Sequence, residues 1–117
     1  MVSSVINYLQ HANLVNDLLL AEELKRKSTG IKFLSQKSAR KFMFTRGIPE
    51  EIIDSVLTYN EAEDIENARN LVYKKMTSFK NLPVEKIKKK LHDLLLRKGY
   101  SYEIINMVLK EINIKED

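Results

Sequence analysis

The chain has 117 residues, 44% of them hydrophobic and 31% charged, with a formal net charge of +4. It contains no Cys, 3 Gly and 2 Pro. This excludes a disulfide framework, a thiolate zinc site, an iron–sulfur cluster and a cysteine nucleophile, and leaves too few turn residues for an all-β fold or a glycine-rich phosphate loop. The longest apolar run, Leu18-Leu19-Leu20-Ala21, is far short of the ~20 residues that span a bilayer. The N-terminus shows no basic n-region followed by an apolar stretch, so no membrane role is expected and a cytoplasmic protein is.

Apolar residues recur at helical spacing almost throughout. Val5, Ile6 and Leu9 form a short stripe behind Ser3 or Ser4 as N-cap. Leu20, Ala21 and Leu24 predict a second helix from about Asn16 or Asp17, which Ser28-Thr29-Gly30 can stop or weaken. Ser35 caps a third helix carrying Ala39, Phe42 and Met43, and Gly47 is placed to close it. Pro49 opens a short helix with Ile52, Ile53, Val56 and Leu57 on its buried face. Asn60 with Glu63 resembles a capping box ahead of Ile65, Ala68, Val72, Met76 and Phe79. Pro83 starts the next helix, with Ile87, Leu91, Leu94 and Leu95, and Gly99 closes it. Ser101 caps the last, with Ile104, Ile105, Val108, Leu109 and Ile112. The expectation is seven helices and no strand.

The chain also repeats itself. Shifted by 52 residues, the stretch Gly47–Leu57 falls on Gly99–Leu109 with six of eleven positions identical. Ahead of it, Ala39, Phe42 and Met43 fall on Leu91, Leu94 and Leu95, and Arg46 falls on Lys98. This predicts an all-α fold of tandem three-helix repeats, each covering its neighbour's apolar face. The expected division is residues 1–47 for one unit, and residues 48–117 for a second unit plus a C-terminal helix.

The net charge hides a block pattern. Residues 1–23 carry −3, residues 24–49 carry +8, residues 50–68 carry −7, residues 69–99 carry +8 and residues 100–117 carry −2. The two basic blocks occupy corresponding parts of the two units. Lys25, Arg26, Lys37, Arg40, Lys41 and Arg46 come from the first, and Lys74, Lys75, Lys89, Lys90, Arg97 and Lys98 from the second. Repeated in phase, they predict a basic stripe along one side of the array, able to attract a polyanion or an acidic protein surface.

Features for catalysis are missing. His11 and His92 are the only histidines, and adjacent His92 and Asp93 point to different sides of a helix. Glu61, Glu63, Asp64 and Glu66 lack the order of a calcium loop, and acids in a first turn suit the helix dipole without any metal. No enzymatic activity, metal or cofactor is expected. Phe42 and Phe79 fall on core stripes, whereas Tyr100 and Tyr102 sit at a helix junction, suited to local packing or surface use.

The ordered set of motifs resembles the RecX family, bacterial modulators of the RecA recombinase. Three stretches carry the likeness. Val5-Ile6-Asn7-Tyr8-Leu9 through Asn16-Asp17-Leu18-Leu19-Leu20-Ala21 is similar to a family segment ending in two acids and an aromatic before Ala, with Asn16 and Leu20 departing from it. Ser35 through Arg46-Gly47-Ile48 is similar to a basic helix followed by Lys-Gly-Ile. Leu91-His92-Asp93-Leu94-Leu95-Leu96-Arg97-Lys98-Gly99-Tyr100-Ser101 is similar to a C-terminal signature ending in Arg-Lys-Gly-Phe-Ser. The resemblance implies an elongated, curved array that binds RecA and its single-stranded-DNA filament. It also implies inhibition of ATPase, strand exchange and coprotease activities, in control of recombination, DNA repair and the SOS response. Family members usually carry a further unit in front, so the family's first unit is expected to be absent here; a monomer is also expected. The alternatives are a stand-alone nucleic-acid-binding helical module, resting on the basic blocks alone, and a protein-interaction scaffold.

Overall fold

The computed structural model describes residues 2–112, with side chains from residue 13 onward. Among these residues there is no strand. The elements are α1 (Val2–Lys25), a π-helical segment (Arg26–Ile31), α2 (Gln36–Thr45), α3 (Glu50–Val56), α4 (Glu61–Phe79), α5 (Val84–Arg97) and α6 (Tyr102–Glu111).

The two N-terminal helices expected from the sequence are one. The backbone is already helical at Ser3 and Ser4, so neither is an N-cap, and α1 runs on to Lys25 without a break. His11 lies on α1, outside the described side chains. The chain is not stopped at Ser28-Thr29-Gly30 but widened. The hydroxyls of Ser28 and Thr29 both donate to the Lys25 carbonyl, at 3.2 and 2.7 Å. Lys32 N–H reaches five residues back to Lys27 at 2.9 Å. Side-chain competition for a helix carbonyl is a known cause of such distortion, and a π turn absorbs it.

The caps expected at Ser35 and Ser101 form, with their hydroxyls accepting from Ser38 N–H and Ile104 N–H at 3.2 Å each. The turns after α2 and α5 are the same turn. Gly47 and Gly99 take φ of +85° and +94°. Ile48 N–H donates to Met43 O at 3.3 Å and Tyr100 N–H to Leu95 O at 3.2 Å. Gly47 N–H donates to Phe44 O and Gly99 N–H to Leu96 O, both at 3.0 Å. This is the Schellman arrangement, with its apolar pair (Met43 with Ile48, Leu95 with Tyr100) buried in each case.

The apolar faces build two cores. Ala21, Leu24, Ala39, Met43, Ile48, Ile52, Ile53, Val56 and Leu57 form the first. Ala68, Leu71, Val72, Ile87, Leu91, Leu95, Tyr100, Ile104, Ile105 and Val108 form the second. The cores part between Leu57 and Asn60, not at residue 47, because α3 turns back at Gly47 and packs on α1 and α2. The molecule is an elongated array of 76 × 23 × 18 Å, with a radius of gyration of 18.9 Å, against about 13 Å for a compact domain of similar size.

A polar seam joins the units. The side-chain amide of Gln36 donates to Asn60 O at 2.8 Å, and its carbonyl accepts from Asn60 N–H at 2.9 Å. The backbone N–H of Gln36, at the start of α2, donates to the buried carboxylate of Asp64 at 2.9 Å. The capping box is therefore half made: Asn60 Oδ1 accepts from Ala62 and Glu63 N–H, but Gln36 rather than Glu63 takes the Asn60 N–H. Ser35 N–H donates to Lys98 O at 2.9 Å. Among the described residues every buried side-chain N or O atom has a hydrogen-bond partner, as a stable internal seam requires.

Candidate anion-binding face

The segment between the π turn and α2 crosses the seam, and it carries Lys32 and Phe33. Phe33 has φ of +58°, an unusual conformation for a large side chain. Hydrogen bonds from the second unit hold it there. The Tyr100 hydroxyl donates to Phe33 O at 2.7 Å, and Asn67 Nδ2 donates to Leu34 O at 3.2 Å and to the Tyr100 hydroxyl oxygen at 3.0 Å. Tyr100 is thus buried in the second core with its hydroxyl in the seam, not at the surface, and burial pushes its phenol well above the ordinary range. Tyr102 is exposed.

Around this anchored segment the cations converge. Lys32 Nζ lies 4.5 Å and the Arg46 guanidinium 3.9 Å from the centre of the Phe42 ring. Lys74 Nζ lies 5.2 Å from Phe33, and Lys90 Nζ lies 5.9 Å from Phe79. Phe42 and Phe79 are half-buried against their cores and also carry these cations. A cation over a ring face is held by the ring's quadrupole. Lys75, Phe79, Lys90, Leu94 and Arg97 line a groove beside them, with Asp93 as its one carboxylate.

Lys98 sits in the middle. Burial, and then the charges of Lys75, Arg97, Lys32 and Lys74, hold its ammonium below the usual lysine range. Four cations near enough to shift a fifth make a strongly positive spot that an anion would relieve.

The twelve basic residues named from the sequence thus have different surroundings. Arg46, Lys74, Lys75, Lys90, Arg97 and Lys98 belong to this face, together with Lys32, which the blocks contained but did not single out. Arg40 is bound instead to Asp54 and to Glu50, the latter at 3.1 Å, and these carboxylates raise its pKa further. Lys37 and Lys41 border a groove with Arg40, Phe44 and Glu50. Lys25 borders one with Glu63, Asp64 and Glu66. Arg26 and Lys89 are exposed on the π segment and on α5. The basic face is therefore built across the seam rather than by two identical halves. Among the described residues no group of His, Asp or Glu side chains is placed to hold a metal, and no helix is long and apolar enough to cross a membrane.

Residues 61–109, which cover α4, α5 and nearly all of α6, match the family model for the third three-helix domain of RecX. The whole chain aligns with curated proteins named Regulatory protein RecX. The one from Bacillus cytotoxicus is 31% identical and that from Bacillus cereus 30% identical, over 99% of this chain and 43% of theirs. The crystal structure of RecX from Lactobacillus salivarius superposes with a TM-score of 0.70 at 25% identity, over 97% of this chain and 74% of that one. Across its length the chain is similar to RecX proteins. It spans less than half the length of these curated RecX relatives. The all-α, repeated three-helix architecture is the one shared with the RecX crystal structure. The curated relatives are named as regulatory proteins.

Proposed function

We propose that this RecX-like chain acts as a regulator that binds the RecA recombinase on its single-stranded-DNA filament and lowers RecA's ATPase, strand-exchange and coprotease activities, in control of recombination and repair in the cytoplasm. The observation that carries the reading is the basic face running across both units of an array 76 Å long. Such a length can reach more than one neighbouring site on a filament, so that several modest contacts add up. The cations supply steering toward a polyanionic complex and contact with it. No step of this function needs a cofactor or a bond-making residue in the chain.

The test is RecA's DNA-dependent ATPase with the chain added at stoichiometric amounts. Inhibition is expected, and it should weaken when Arg97 and Lys98 are both changed to Gln. Undiminished ATPase with the unaltered chain would overturn the reading. A second reading, a nucleic-acid-binding module that needs no RecA, draws on the same face. It predicts tight DNA binding without RecA at physiological salt, and weak binding there removes it.

A further inference from the structure

The basic face is not carried by either unit alone. Lys32 and Arg46 come from the first unit; Lys74, Lys75, Lys90, Arg97 and Lys98 come from the second. What brings Lys32 to Lys98 is the anchoring of residues 33–35 to the second unit. The Tyr100 hydroxyl, Asn67 Nδ2 and the Lys98 carbonyl make the bonds to Phe33 O, Leu34 O and Ser35 N–H. None of these three groups is itself a cation tip. We propose that single-stranded DNA bound on this face bridges the two units and locks the seam, with Tyr100 and Asn67 as the positioning residues that assemble the DNA site.

The inference deepens the reading of the face as a contact for the filament's DNA. A flexible strand presents a phosphate at every nucleotide and can follow a row of cations around a joint. A folded acidic surface would need carboxylates at matching fixed places. The groove beside Phe79 also leaves part of a ring accessible between Lys75, Lys90 and Arg97, the combination of aromatic platform and cations that suits single strands. Locking follows from linkage. If DNA binds the closed seam better than the open one, DNA must favour closure by the same factor that closure favours DNA.

The measurement is the affinity of an oligo(dT) probe in a double-mutant cycle. In the unaltered chain, Lys32→Gln and Arg97→Gln should each weaken binding several-fold and lower the salt slope by about 0.7, as expected for one phosphate contact on a single strand. In the Tyr100→Phe background, binding is weaker at the outset. There Lys32→Gln should cost less than about twofold, because the seam no longer holds Lys32 in place, while Arg97→Gln costs what it did before. Equal costs of Lys32→Gln in both backgrounds would overturn the proposal. Should Tyr100→Phe fail to melt cooperatively, Asn67→Ala takes its place, since it removes the bond to Leu34 O and leaves Tyr100 itself unchanged. Saturating oligo(dT) should also slow hydrogen exchange at Ser35 N–H, and an unchanged rate counts against locking. If the chain inhibits RecA but shows no oligo(dT) binding at low salt, the face meets protein, and the locking proposal falls while the regulatory reading stands. If it binds oligo(dT) with the expected coupling but leaves RecA untouched, the regulatory reading falls and the locking proposal stands.

Discussion

The turns at Gly47 and Gly99 have the same backbone and opposite surroundings. Both glycines have positive φ, and both turns make the same pair of helix-closing hydrogen bonds. A Cβ built on Gly47 meets nothing within 4 Å, whereas one on Gly99 would lie 1.9 Å from Ser38 Oγ and 2.7 Å from Ser35 Oγ. The first turn closes a helix at the surface. The second closes a helix and also receives the start of α2 from the neighbouring unit. One local motif thus serves twice, once for the chain's own path and once as a docking surface, and only the second use makes the absence of a side chain a matter of space.

The comparison can be broken most severely in the cores beneath the turns. Met43 and Leu95 are equivalent positions, each fully buried. Leu95→Ala and Met43→Ala should each cost about 2–5 kcal/mol in denaturant unfolding, from lost transfer energy plus the cavity left behind. A much smaller cost at one of them would mean that its core collapses around the gap. At the turns themselves the costs should separate. Gly47→Ala should cost about 1 kcal/mol from positive φ alone. Gly99→Ala should cost about 3 kcal/mol, because overpacking against Ser35 and Ser38 is added. Equal losses would show that α2 shifts freely away from the turn.

A smaller effect separates the cations of the two units. Arg97→Gln should weaken oligo(dT) binding several-fold, while Arg40→Gln should leave both affinity and salt slope unchanged, since Asp54 and Glu50 already occupy that guanidinium. Equal weakening by the two substitutions would place the nucleic-acid contact on α2 as well. The smallest expected effect is a pH dependence at the seam. Burial raises the Asp64 carboxyl above its ordinary value of 3.8. A raised folded value means that its contribution to stability is fully present below the ordinary carboxylate range and is lost as pH rises through the raised value. Asp64→Asn keeps an oxygen that can accept from Gln36 N–H and does not titrate. Its stability relative to the unaltered chain should therefore improve from acid to neutral pH, as read from melts across that range. A constant difference would show that Asp64 titrates as a solvated group.

The helices could be read from the sequence because their signals are local. A serine hydroxyl reaches the amide three residues on, a glycine admits positive φ, and apolar residues at three-to-four spacing share a face. Ser35, Gly47, Ser101 and Gly99 act as their positions predicted. The break expected ahead of Asn16 failed because α1 continues straight through it. The stop expected at Ser28-Thr29-Gly30 became a π turn because two hydroxyls share one carbonyl, a choice that propensity does not encode.

The basic blocks were visible too, but a block is a property of the chain and a face is a property of the fold. Arg40 looked equivalent to its basic neighbours until α3 brought Asp54 and Glu50 against it. Lys32 looked unremarkable until its neighbours Phe33 and Leu34 were tied to Tyr100 and Asn67. The sequence by itself determined most of the helices, the serine caps, the repeated turn and the likeness to RecX proteins, all set by contacts a few residues apart or by motif order. The tertiary structure alone decided which cations act together, because that depends on hydrogen bonds between residues 33 and 67 positions apart, and nothing in local spacing predicts them.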